Sequence, residues 1–513
     1  MKSVVRHQVA KGTALLGGAR ALSRGFDFIT LIILARYLTP TDFGLVAIAL
    51  SVMQIAEAVM EVPTNVALLQ LRTVSRSHLN SAFTIALLRG VAIAAILCAM
   101  AMPLAYFFED ERLFALICAI SLAPALRGLR SPKDFLLFKQ LRFWPDALAD
   151  VFGKFCALAI AGMLAVQTGS YWAIASATIA SPLFYVLATY ALVPMRPRLT
   201  LRHFAFFWSF LSWNMAAQTM SALNWQADRV LLGKLAAQAT VGLYATTRDL
   251  ATIVFKTMME TIQKPMMSAL ARSNQQPTRQ RQVYGVAIAS VLSIGLPIAC
   301  GQALLAVELI ELVLGPQWLE ATIVFQAVSL LLIPGLYSHM TLTLLNALGK
   351  PKYIFNRNLW DFLLRVPLTI ACVVNFGWLG AVLALIVADL FLALLCLHLT
   401  RKIIGIGIIE QLLCAGRGLV SVTVMVATVF WLRQIFERGD SELEIIVYLL
   451  KIIPLAAITY CTAHWAVWRL SGRPDGLEAL VTQTISRVAR DKPFIGWLNR
   501  HNLADKPRTQ ELK

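Results

Sequence analysis

The chain has 513 residues, 58% of them hydrophobic and only 14% charged, too few charges to clothe a soluble globule of that size. Its net charge of +18 comes without the spacing of any nucleic-acid motif, so a nucleic-acid partner is excluded from the reading. Apolar segments long enough to cross about 30 Å of hydrocarbon as helices recur along the whole length. The fold class they predict is an all-α polytopic membrane protein.

In chain order, fourteen membrane helices are predicted, centred near residues 26, 56, 93, 118, 157, 182, 217, 252, 294, 333, 365, 388, 423 and 457. Between the first two stands a polar knot, Thr39-Pro40-Thr41-Asp42, read as a tight turn at one membrane face. The fourth span, Leu113 to Leu126, is short and carries Pro124, and losing it would invert everything downstream. Charge decides the matter. Alternate connections (1–12, 70–79, 127–145, 193–203, 264–282, 347–353, 400–417 and 469–513) hold 31 of the 46 Lys and Arg residues, whereas the opposite connections hold five. The remaining ten lie within spans. That contrast obeys the positive-inside rule at every connection, which puts both termini in the cytoplasm and turns the knot outward. Much of the +18 charge is then topology and attraction to anionic lipid head groups.

The outward connections are acidic where they are charged at all, as in "FFEDER" at 107–112 and "ERGDSELE" at 437–444, and they are too short for an extracytoplasmic catalytic domain. The N-terminal segment shows no small-residue cleavage site and is read as retained. Cysteines 98, 118, 156, 300, 372, 396, 414 and 461 stand singly in apolar stretches without CxxC spacing, as packing residues do. HExxH, GxxxxGK[ST] and GxSxG are all absent, which disfavours metal catalysis, ATP hydrolysis and a nucleophile elbow, so neither a metal nor a cofactor is expected and the chain is not read as an enzyme.

An internal repeat carries more information. "LLGKLAAQATVGLYA" at 231–245 aligns with "ILARYLTPTDFGLVA" at 33–47, placing Lys234 under Arg36 and Gly242 under Gly44 at an offset of 198. "GVAIAAIL" at 90 and "GVAIASVL" at 285 agree at six of eight positions with an offset of 195. Six spans separate the equivalent helices, so the halves share orientation as a parallel repeat. The predicted organisation is an N-terminal lobe of helices 1–6 (residues 1–200), a second lobe of helices 7–12 (201–400), helices 13–14 (401–471) and a cytoplasmic amphipathic tail (472–513).

Two lobes with short loops point to alternating access, and ionisable residues inside spans are the candidates for a wet cavity between them. Helix one offers Arg20, Arg24 and Asp27 on one face, either lining such a cavity or snorkelling to the interface. Helix two adds Glu57 and Glu61, natural partners for the helix-one arginines. Helix eight carries Arg248, Asp249, Lys256 and Glu260, the last two spaced for an intrahelical pair. Arg357, Asp361 and Arg365 form a stripe on helix eleven, read either as ligand site or as a salt-bridge network. Cations outnumber acids in this set, which suits an anionic phosphate or pyrophosphate held by arginine forks. Asp27, Glu57, Glu61 and Asp361 are the candidates for ion coupling.

The stretch "LARYLTPTDFGLVAIALSVMQIAEAVMEVPTNVALLQ" resembles the first helical hairpin of polysaccharide transport proteins. These are the Wzx-type lipid-linked oligosaccharide flippases of the multidrug/oligosaccharidyl-lipid/polysaccharide exporter superfamily. "ADRVLLGKLAAQATVGLYATT" is similar to the second-lobe hairpin of that family, with Asp228, Gly233, Gly242 and Tyr244 in place, although "AAQAT" departs from it in lacking an acid and a Gly. The resemblance implies that an undecaprenyl-pyrophosphate-linked glycan repeat unit is moved across the inner membrane for lipopolysaccharide or exopolysaccharide synthesis. It also implies that polymerase and assembly proteins are partners alongside membrane lipids. A cationic cavity between lobes would hold the pyrophosphate, with Arg20, Arg24, Arg248 and Lys256 assigned to it by position and chemistry. Trp213, Asn214, Gln218, Asn224, Trp225 and Gln226 on helix seven would meet sugars or else form an interfacial aromatic belt.

Pro63, Pro265 and Pro297 are candidate bend points, and Leu477, Leu480, Val481, Thr484 and Val488 lie on one side of an amphipathic tail helix, a lipid-surface or partner-docking segment. A multidrug or cation antiporter of related architecture and a non-transporting scaffold for glycan assembly are the rival readings, and a monomer is expected.

Overall fold

The polar knot is where two helices meet. In the computed structural model, α1 (Lys2–Tyr37) gives way to α2 (Pro40–Val59) through Thr39, whose hydroxyl accepts from the Asp42 amide while the Asp42 carboxylate accepts from the Thr39 amide. Pro40 fills the first helical position, where its missing N–H costs nothing. The structure describes residues 2–62, 64, 67–68, 71, 73–139, 144–208, 213–439, 441–472, 478 and 482, with side chains from Gly17 onward and without those of 138, 139, 208, 213 and 214. Pro63 and the amphipathic tail, Glu478 and Thr482 excepted, lie outside the described residues, as do the side chains of Trp213 and Asn214.

The chain continues through α3 (Arg76–Phe108), α4 (Arg112–Ile120), α5 (Leu122–Gly128), α6 (Asp134–Lys139), α7 (Trp144–Thr168), α8 (Trp172–Leu192), α9 (Phe204–Trp208), α10 (Trp213–Leu235) and α11 (Gln238–Arg272). There follow α12 (Pro277–Leu304), α13 (Ala306–Val313), a 3₁₀ turn at Pro316–Ala321, α14 (Thr322–Ala347), α15 (Pro351–Ile404), α16 (Ile408–Leu413), α17 (Gly416–Ile435) and α18 (Glu442–Leu470). No strand occurs among the described residues. Every one of the fourteen expected centres falls on helix, and nine helices among the described residues are long and apolar enough to span a membrane. The fourth expected span is two short helices, α4 and α5, meeting at Ser121. α15 contains two expected spans and breaks at Gly377, whose φ of 61° and ψ of −146° belong to a region open essentially to glycine alone. Pro265 and Pro297 sit inside otherwise continuous helices. Leu88, Phe152, Met163, Leu394, Trp431 and Leu450 are exposed on their spans, as lipid-facing side chains are.

The chain forms two compact units. The larger takes Met1–Glu260 and Gln302–Cys396, the smaller Thr261–Gly301 and Leu397–Lys513. In the larger unit the core gathers around Leu45, Ile48, Tyr244 and the fully buried Trp318, whose indole N–H donates to the Ala35 carbonyl near the end of α1. The Phe43 ring meets Trp318 edge-on at 5.1 Å. The repeat has a physical counterpart here. A Cβ on Gly44 would collide with the Gln238 carbonyl, and one on Gly242 with the Pro40 carbonyl. Pro40 and Gln238 are themselves 198 residues apart, so equivalent points of the two hairpins touch one another reciprocally. Ion pairs tie the same end together: Lys234 to Glu109 at 2.7 Å, and Arg112 to Asp110 at 2.8 Å with Gln238 accepting from the same guanidinium.

In the smaller unit α17 packs against α18, the Tyr460 hydroxyl donates to the Ser293 carbonyl, and Arg281 donates to the Ile404 carbonyl. Glu478 meets Arg417 at 3.0 Å and His464 at 2.9 Å.

Candidate functional site

Within the larger unit two groups of charged residues stand out on the helices. The first is a buried ion cluster in which Asp228 of α10 accepts from Arg248 of α11 at 2.8 Å and from the Tyr244 hydroxyl at 3.1 Å, and stands 3.5 Å from Arg365 of α15. Arg365 also meets Asp361 at 3.2 Å and Asp389 at 2.5 Å. Charges removed from water in this way are tolerable only because each carries its counter-ion with it. The expected stripe Arg357–Asp361–Arg365 is therefore divided: Asp361 and Arg365 belong to this network, which also consumes Arg248, while Arg357 does not.

The second group keeps cations without carboxylates. Lys256 stands 4.4 Å from the centroid of the Trp225 ring and Arg248 stands 4.5 Å from it, so one indole receives both. Lys256 forms no ion pair among the described residues. The pair expected with Glu260 is replaced, because Glu260 is 2.9 Å from Arg24 of α1. Arg357 donates to the Cys396 sulfur at 3.1 Å and to Asn358 at 2.8 Å, and it too meets no carboxylate among the described residues. His339 of α14, edge-on to Phe255 at 5.1 Å, is within electrostatic reach of both Lys256 and Arg357. Asp249, two turns back along α11, is within electrostatic reach of Lys256 but is held by Arg229 at 2.6 Å.

Arg20, Arg24 and Asp27 leave one helical face but fan apart. Arg24 crosses to α11, whereas Arg20 and Asp27 line a cavity of about 700 Å³ between α1, α7, α8 and the end of α5, where Asp27 pairs with Lys154 at 2.7 Å. Glu57 is not a partner of the helix-one arginines. It pairs with Arg127, and its carbonyl accepts from Arg89, because α2 turns that side toward α3 and α5. Glu61 is exposed.

Among the expected sugar contacts, Asn224 donates to the Asn358 carbonyl at 2.8 Å and Asn358 returns a bond to the Ala217 carbonyl, an interhelical tie. Gln226 is tied to Gln54 and Ser51 of α2. Gln218 is exposed. The sequence reading missed Asp389, although a lone acid inside "LALIVADLFLALL" is the signal applied elsewhere. It also missed Asp146, Asp150 and Lys154, which recur at intervals of four along α7.

A family model described as polysaccharide biosynthesis protein matches residues 33–323, from the first hairpin through the second and on past Trp318. The chain belongs to that family. The resemblance read from "LARYLTPTDFG" thus holds. This member of the polysaccharide biosynthesis family is 22% identical over 299 residues to the succinoglycan biosynthesis transport protein ExoT of Rhizobium meliloti (strain 1021), across 58% of this chain and 60% of that one. The chain thus spans about three fifths of the length of that curated relative.

Among solved structures it is similar to the lipid II flippase MurJ in its inward closed conformation, with a TM-score of 0.70 and 15% identity over 89% of this chain and 99% of that one. It is also similar to an inward-facing multidrug resistance MATE family transporter of the MOP superfamily, with a TM-score of 0.58 and 12% identity over 74% and 94% of the two chains. These likenesses concern the fold, and with the apolar spans they make the chain a multi-pass membrane protein of transporter architecture.

Proposed function

We propose that the protein is a flippase that moves undecaprenyl-pyrophosphate-linked oligosaccharide repeat units from the cytoplasmic to the periplasmic leaflet by alternating access, supplying cell-surface or exopolysaccharide assembly. One observation carries the reading: Lys256 on α11 and Arg357 on α15, both within electrostatic reach of His339, form no ion pair with a carboxylate among the described residues. A cation without a counter-ion in direct contact is costly in a low-dielectric setting, and an anionic ligand relieves that cost. A pyrophosphate offers several oxygens to both groups at once. The family membership and the transporter fold agree with this reading. An antiporter for cationic drugs working at this site would need free acids beside Lys256 and Arg357, yet Asp228, Asp249, Asp361 and Glu260 are all bound to arginines.

In proteoliposomes, leaflet-resolved movement of an undecaprenyl-pyrophosphate oligosaccharide is expected with the wild type and is expected to fall by about ten- to a hundredfold in Lys256→Gln and Arg357→Gln, the worth of one charged hydrogen bond to phosphate. Absence of movement in the wild type, or unchanged movement in both variants, would overturn the proposal.

A further inference from the structure

The cavity beside α1 has a composition unlike that of the Lys256 region. Its walls carry Asp27 matched by Lys154, Asp146 matched by Arg130, and Arg127 matched by Glu57. Two lining groups remain without an ionic partner among the described residues, and they are of opposite sign: Arg20 on α1 and Asp150 on α7. Asp150 accepts one hydrogen bond, from Ser23 at 2.6 Å through Oδ2, and its other oxygen has no donor among the described residues. The Asp146 carboxylate is fixed in place by Arg130 and by the Tyr185 hydroxyl, both at 2.7 Å. Between these fixed groups the lining is made of small residues such as Ala19 and Ala177, so the volume of about 700 Å³ stays open. That volume falls in the range of small-molecule sites.

A free guanidinium fork donates only and a free carboxylate oxygen accepts only. A ligand that satisfies both without importing net charge must accept and donate from adjacent atoms, as vicinal hydroxyl groups do. A bare phosphate satisfies Arg20 but sets a second anion against the unpaired Asp150. An apolar chain leaves both groups desolvated and unpaired. We propose that this cavity holds neutral sugar units, with Arg20 donating to and Asp150 accepting from ring hydroxyls. The inference rests on the flippase reading for the origin of the sugar, the glycan of the lipid-linked substrate. Arg24, which leaves α1 between the cavity residues Arg20 and Asp27, binds Glu260 one turn beyond Lys256. That pair ties the face of α1 that lines the cavity to α11 one turn from Lys256.

The test is ligand-observed NMR on the full-length protein in nanodiscs, with methyl β-glucoside, methyl β-galactoside and lactose as probes. At least one probe is expected to bind. Asp150→Asn and Arg20→Gln are each expected to weaken it about tenfold, the scale of one hydrogen bond to a charged group, and Ala177→Phe to abolish it by filling the cavity. Thermal midpoints within the wild-type range show that a variant is folded, and Ala177→Phe serves where Asp150→Asn is not. Binding of no probe, undiminished binding in the variants, or displacement of the sugar by phosphoethanolamine at far lower concentration would each overturn the inference. The proteoliposome assay separates the two proposals: wild-type transport that the cavity variants leave intact removes the sugar site alone. A wild type that binds sugar and moves no lipid-linked glycan removes the flippase reading alone.

Discussion

Arg248 and Lys256 stand over the same Trp225 ring, yet only Arg248 is tied to a carboxylate. That difference gives the two residues opposite mutational signatures. Asp228→Ala strips a counter-ion from Arg248 and Arg365 at once, and a loss of about 3–5 kcal/mol in stability is expected, read as a lowered thermal midpoint in detergent. Lys256→Met removes a charge that has no internal counter-ion. It is expected to leave the midpoint unchanged or higher while transport is lost. Equal destabilisation by both substitutions would make Lys256 a structural cation like Arg248. Spacing along a helix told which residues share a face, and Arg20, Arg24 and Asp27 do leave α1 on one side. It could not tell what that face meets, because the partners come from elsewhere in the chain: Glu260 is 236 residues from Arg24, and Lys154 answers Asp27 from another helix.

The turn between the first two helices was legible from Thr39-Pro40-Thr41-Asp42, and the structure makes it a capping box with Pro40 at the first helical position, local chemistry that tertiary packing does not override. The split of the fourth span into α4 and α5 was not legible, because apolar composition alone does not mark where a membrane helix bends, whereas α15 does break at Gly377 between the expected centres at 365 and 388. Gly377→Ala is expected to cost about 1–3 kcal/mol, since its backbone lies where an L side chain is strained whatever the surrounding space. Gly44→Ala and Gly242→Ala fail for a different reason: the added methyl meets the backbone of the facing hairpin. Each is expected to lower the thermal midpoint, and a neutral result at both would mean that the hairpins part easily.

The loop bearing Glu109 and Asp110 adds a dependence on pH. The hydrogen bond from Lys234 holds the Glu109 carboxyl below its ordinary range; burial pushes Asp110 up, but hydrogen bonds from Arg112 and Gln238 more than offset that and leave it lowered. Carboxyls depressed by folding stabilise the protein above their unfolded pKa of about 4, and that contribution is lost as pH falls through the folded values. The thermal midpoint is therefore expected to hold from neutral pH down to about 5 and to drop below about 4, with a smaller drop in the double variant Glu109→Gln, Asp110→Asn.

For the whole molecule, the asymmetry of 31 basic residues against five remains the strongest statement about orientation. Topology reporters fused before Lys2 and after Gly472 are expected to signal cytoplasm, and a tag inserted at Thr41 the periplasm; the opposite pattern would reverse the proposed direction of transport. The repeat has an implication for origin as well. A contact in which Pro40 faces Gly242 while Gln238 faces Gly44 reads the same from either side, as an isologous dimer interface does. Two copies of a half-length ancestor, associated through this patch before their genes fused, would have met at a single glycine opposed to itself. Fusion would have turned that one position into two, so that a side chain once forbidden twice over could be tried on one half alone.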